Sequence, residues 1–139
     1  MTDTLIQYGS GIIGLMVLVI IINILGPLVG AKKASANIKP GSEPEGDYGD
    51  ANYRLHRAHL NAVENFGTFG VTAIFAMLLG ASAGWVNGLI WGTVVIRLIY
   101  TYVFLAGLGK AAQGLRTMLY VLTWVLALIM VALVVMQVI

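Results

Sequence analysis

Four long apolar runs, separated by short polar segments, organise the chain. They cover about Gly9 to Gly30, Leu60 to Leu79, Trp85 to Leu105 and Leu115 to Ile139. Each approaches the ~20 mostly apolar residues that a helix needs to cross a bilayer. The runs are continuous rather than alternating, which excludes the strands of a membrane barrel. Asn23 and Pro27 are the interruptions of the first run. Between the first two runs, residues 31–53 hold Pro40, Gly41, Pro44, Gly46 and Gly49 with Glu43, Glu45, Asp47 and Asp50, and read as a loop. The small-residue stretch Gly80-Ala-Ser-Ala-Gly84 predicts a tight hairpin between the second and third runs. The pattern predicts one all-α membrane domain over residues 1–139, a bundle of four transmembrane helices.

Composition agrees. Of 139 residues, 59% are hydrophobic and 10% charged, with a mean hydropathy of +0.89. A soluble domain carries about 25% charged residues, and one this small could not bury so much apolar surface. Disorder requires the opposite composition. A net charge of +2, thinly spread, excludes a nucleic-acid binder. With no cysteine there is no disulfide, thiolate nucleophile, iron–sulfur cluster or thiolate zinc site. A cleaved signal peptide is not expected, because the first eight residues carry Asp3 and no base.

The bases give a sidedness. Lys32, Lys33, Lys39, Arg54 and Arg57 flank the first loop, and Lys110 and Arg116 the loop 106–114. Positive loops stay cytoplasmic, so loops 31–53 and 106–114 are expected inside and both termini on the opposite side. Trp85 and Trp91 suit the interfacial belt there. A bacterial inner membrane is the expected location. Gly26 and Gly30, Gly80 and Gly84, and Gly88 and Gly92 recur at a spacing that allows close helix approach, within a protomer or between subunits.

The densest chemistry opens the second run. Arg54, Arg57, Asn61 and Glu64 share one helical face and form a polar stripe running into the membrane. Arg97, Tyr100, Thr101 and Phe104 form a second stripe in the third run, and Arg116 and Thr117 stand at the start of the fourth. Glu64 and Arg97 lie roughly 10 and 15 Å inside the membrane by helical rise. Unpaired charge at that depth costs about 3 kcal/mol, so the two are expected to pair. Arg54 reads as an anchor at the positive side. Guanidinium forks bind carboxylates, Asn61 suits an amide and Glu64 an ammonium, so the converging clusters fit a small anionic, amide-bearing ligand. His56 and His59 lack a third ligand and make no metal site.

Arg57-Ala-His-Leu-Asn-Ala-Val-Glu-Asn65 resembles the Arg-Ala-His-x-Asn-x-x-Glu-Asn signature of the MAPEG family, membrane-associated proteins in eicosanoid and glutathione metabolism. Arg97-Leu-Ile-Tyr-Thr101 resembles that family's third-span motif, and Leu115-Arg-Thr117 the step that opens its fourth span. The resemblance implies a homotrimer of four-helix protomers with glutathione, as co-substrate, between neighbouring subunits. Arg57, Asn61 and Glu64 would hold its backbone, with Arg97 beside them and Tyr100 lining the site. Arg116 would stabilise the thiolate and Thr117 donate a hydrogen bond to it. A lipophilic electrophile or hydroperoxide would enter from the bilayer lipids. Leu60 stands where several active relatives carry an arginine, and Phe104 where the glutathione-using synthases have a tyrosine.

The resemblance implies a glutathione transferase or peroxidase. The alternative is a non-catalytic lipid-binding or scaffold protein, an accessory subunit of a larger membrane complex. A transporter is disfavoured, because broken-helix pairs are absent from the pattern.

Overall fold

The computed structural model describes residues 5–109 and 114–139. Asp3 and Lys110, which bear on the leader and on sidedness, lie outside them. The helices are α1 (Gly9–Ser35), α2 (Ala51–Leu78), α3 (Ala83–Leu105) and α4 (Leu115–Val135), with no strand among the described residues. The expected four-helix bundle is therefore present. Helices α1, α3 and α4 are each long and apolar enough to cross a membrane. Helix α2, the longest at 28 residues, falls short of that standard, because Arg54, Arg57, Glu64 and its amides dilute its apolar content. It packs against all three other helices, so protein rather than lipid meets much of its surface.

The loop expected at 31–53 is shorter than its hydrophilicity implied. Helix α1 continues to Ser35, with Lys32 and Lys33 in its last turn where the helix dipole favours cations. Helix α2 starts at Ala51, well before the apolar run, because the Asp50 carboxylate accepts the Tyr53 amide at 2.8 Å and caps it. Three helices end by the same device. Asn37, Gly80 and Gly107 take positive φ, and the next amide reaches back five residues: Ile38 to Lys33, Ala81 to Ala76 and Leu108 to Val103. The second of these makes the hairpin expected at residues 80–84.

Helices α2 and α3 form the middle of the bundle, with α1 and α4 on either side. Leu15, Phe69, Met77, Val86, Ile90 and Met130 build the main core in the half nearer the Gly80 turn. Tyr48, Ala58, Tyr100, Phe104 and Leu119 build a smaller one in the other half. The Asn87 amide ties the start of α1 to α3, accepting from the Gly11 amide at 3.0 Å and donating to the Gln7 carbonyl. Trp91, expected at an interface, donates to Ser10 in the same region. The close approach of α1 to α3 occurs at Gly11 and Gly14, where a Cβ would come within 2.5 Å of Asn87 and 2.7 Å of Ile90. Of the glycine pairs singled out by spacing, Gly26 faces His59 of α2 and Gly92 faces Leu126 of α4, each at an ordinary 3.4 Å, while Gly30, Gly80, Gly84 and Gly88 have open space beside them. Four-residue spacing records what a helix permits, not which face meets a neighbour.

Candidate functional site

The capped start of α2 carries its polar stripe alongside α3 and α4. Tyr53, Arg57, Asn61 and Glu64 line one wall of an open groove of about 300 Å³. Tyr100 and Phe104 of α3 line its floor, and Arg116, Thr117 and Tyr120 of α4 the far wall. The groove thus brings together six of the seven residues expected from sequence. Asn61 and Tyr100 are buried, and the Asn61 amide donates to the Tyr100 hydroxyl at 3.0 Å. Arg57 and Arg116 are half-buried, and Glu64 and Thr117 exposed.

Arg97 is the exception. It is 4% exposed, and both terminal nitrogens lack a hydrogen-bond partner among the described residues. Its guanidinium carbon lies 4.5 Å from the centre of the Tyr100 ring, behind the groove floor. There it borders a cavity of about 10 Å³ lined by Leu18 and Ile21 of α1, Ala62 and Phe66 of α2, and Thr93. That space holds at most about one water molecule. The expected Glu64–Arg97 ion pair is absent, since Glu64 faces out of the bundle into the groove. Equal depth did not imply a shared side: Arg97 turns toward α1, and Glu64 toward α4.

Arg54 also leaves the stripe. Its Nη1 donates to the Tyr48 and Gly49 carbonyls, each at 2.8 Å, tying the loop to α2. His56 is buried, and its imidazole pKa lies below the usual value of 6.5, first through desolvation and then through Lys33. No cluster of three metal-ligating side chains occurs among the described residues.

Sequence spacing did not single out three neighbours of the groove. Tyr53 stands one turn before Arg57, and Tyr120 lies three residues after Thr117, a spacing that marks it as a neighbour on the same face. Tyr48 approaches from the loop, where no periodicity points to it. Its ring centre lies 4.4 Å from the Arg116 guanidinium carbon, and Phe104 meets it edge-on at 5.4 Å.

A second cavity, of about 390 Å³, adjoins the first at Glu64 and Tyr120. Ala127, Leu128 and Val131, with Trp124, give it an apolar wall, and Thr68 and Thr72 a weakly polar one. A polar groove thus opens directly beside an apolar one, between helices of a membrane bundle. These features define an integral membrane protein with a polar recess and an apolar recess side by side. The MAPEG family's sequence profile matches residues 11–136, all but the ends of the four-helix bundle, and the chain belongs to that family. No curated protein matches the chain.

Proposed function

We propose that the protein is a glutathione-dependent transferase or peroxidase acting on lipophilic molecules drawn from the bilayer. The observation that carries this reading is the meeting of the polar and apolar cavities at Glu64 and Tyr120. Membership of a family that includes glutathione transferases and peroxidases supports it.

Glutathione offers two carboxylates, an ammonium, two amides and a thiol. Arg57 suits a carboxylate, Glu64 the ammonium and Asn61 an amide, once Asn61 has positioned itself on Tyr100. Arg116 beside the sulfur favours the thiolate, which is the nucleophile, and the Thr117 hydroxyl donates to it. In transfer, the sulfur forms a C–S bond to the electrophile while the leaving group departs with its electron pair. The thiol proton passes to solvent. In peroxidation, a hydroperoxide is reduced to an alcohol and water while two glutathiones are oxidised to the disulfide.

A homotrimer belongs to the same reading. Glu64 is exposed on a helix that lies inside the bundle's membrane zone, where lipid contact with a carboxylate is costly. A neighbouring copy covering the open side of the groove removes that cost and encloses glutathione between subunits. Arg97, buried behind Tyr100, acts on the site through that ring.

The test is turnover in lipid nanodiscs with glutathione and either an aromatic electrophile or a lipid hydroperoxide. Conjugate or alcohol formation that disappears in Arg116→Ala is expected. Glutathione binding without turnover on either class would favour the non-catalytic lipid-binding or scaffold reading.

A further inference from the structure

Tyr48 is placed with care for a loop residue. It is 8% exposed, and its hydroxyl donates to the Leu108 carbonyl at 2.9 Å, just past the end of α3. Arg54 holds its carbonyl, and Phe104 packs edge-on against its ring. The ring is thus fixed by the loop, by α2 and by α3 before it meets α4.

What it meets is Arg116. The guanidinium carbon lies 4.4 Å from the Tyr48 ring centre and 5.1 Å from that of Phe104. The difference between an aromatic and an acidic neighbour matters chemically. A carboxylate partner would form a bidentate pair with the guanidinium and cancel its field. Aromatic faces attract the cation through the ring quadrupole yet leave its full charge and its N–H donors available. They also restrict a side chain with many rotamers. Phe104 lines the groove, whereas Tyr48 lies outside its lining, so Tyr48 acts through Arg116 and not on a ligand.

We propose that Tyr48 is a positioning residue for Arg116: with Phe104 it clamps the guanidinium at the groove wall, oriented and with its charge intact, ready for an anionic thiol. The identity of that anion rests on the glutathione reading, and the clamp does not. The arrangement makes the loop between α1 and α2 part of the site, although Tyr48 touches no ligand.

The clamp is tested in protein carrying 15N-labelled arginine. The Arg116 Nε–Hε resonance, assigned by its loss in Arg116→Lys, is expected to carry a ring-current shift. It should move toward the free-arginine position in Tyr48→Leu and stay in Tyr48→Phe. With glutathione bound, the ultraviolet thiolate absorbance of Tyr48→Leu should appear at higher pH than in wild type. Its kcat should fall by about ten- to a hundredfold, as expected for a misplaced charge, with KM for glutathione changed less. Tyr48→Phe should follow the wild-type pH profile. Fluorinated phenylalanines at position 48 keep the ring's shape while weakening its negative face, so they serve if Tyr48→Leu does not fold. The thiolate profile should then shift further with each added fluorine.

An Arg116 resonance unmoved by loss or fluorination of the ring overturns the proposal. So does Tyr48→Phe behaving like Tyr48→Leu, which would make the tether to Leu108 the operative contact. A wild type that shows the resonance shifts but binds no glutathione upholds the clamp and removes the glutathione reading instead.

Discussion

Asn61 and Tyr100 lie 39 positions apart in the chain and share a buried hydrogen bond of 3.0 Å across the α2–α3 interface. The Asn61 amide donates, and the phenol oxygen accepts. The bond fixes the floor of the groove against its α2 wall, and it satisfies a buried amide. Tyr100→Phe leaves that N–H unmatched. The expected loss is about 0.5–2 kcal/mol, toward the lower end because membrane hydrogen bonds contribute less than their burial implies. Thermal unfolding in detergent should show a lower Tm for Tyr100→Phe and for Asn61→Ala, and a double variant less affected than the sum. Full additivity of the two would mean that the bond contributes nothing.

Arg97 and Glu64 should behave independently. One borders a small cavity toward α1 and the other lines the groove, and the Arg97 terminal nitrogens make no hydrogen bond to Glu64. The effects of Arg97→Met and Glu64→Gln on unfolding free energy should add to within about 0.5 kcal/mol, as for uncoupled sites. Coupling of several times that size would restore an ion pair between them.

His56 gives the fold a pH dependence. Burial and Lys33 hold its folded pKa below the usual 6.5, so the unfolded chain binds the proton more readily. Where the unfolded state binds more protons, stability rises with pH. Stability should therefore be unaffected by His56 above about pH 6.5 and should fall as pH drops below it. His56→Gln should flatten that part of the profile in unfolding scans. A variant with the same acid slope as wild type would assign the slope to other groups.

Much of this is legible in the residues. Apolar runs mark where the membrane zone lies, and the spacing of Arg57, Asn61 and Glu64 alone places them on one helical face. Hydropathy reports solvent, however, and not helix. It therefore misses the polar turns at Lys32–Ser35 and Ala51–His59, which are helical because dipole and cap favour them. Periodicity also says which residues share a side of one helix without saying what lies opposite. That gap misdirects Arg97, whose stripe with Tyr100 and Phe104 splits between α1 and the groove. Tyr48 is beyond such reasoning: its contacts with Phe104 and Leu108 span some 60 positions and arise from a loop without a repeat. Tyr120 is within reach, one helical turn after Thr117, and is hidden by the apolar run around it.

The groove between α2, α3 and α4 is the proposed glutathione site. Calorimetry on detergent-purified protein measures this directly, with wild type, Arg57→Ala and Arg116→Ala side by side. Saturable binding to wild type is expected, weakened in both variants by tenfold or more where a charge-assisted contact worth about 1.5–3 kcal/mol is lost. No heat of binding to folded wild-type protein at millimolar glutathione would contradict it.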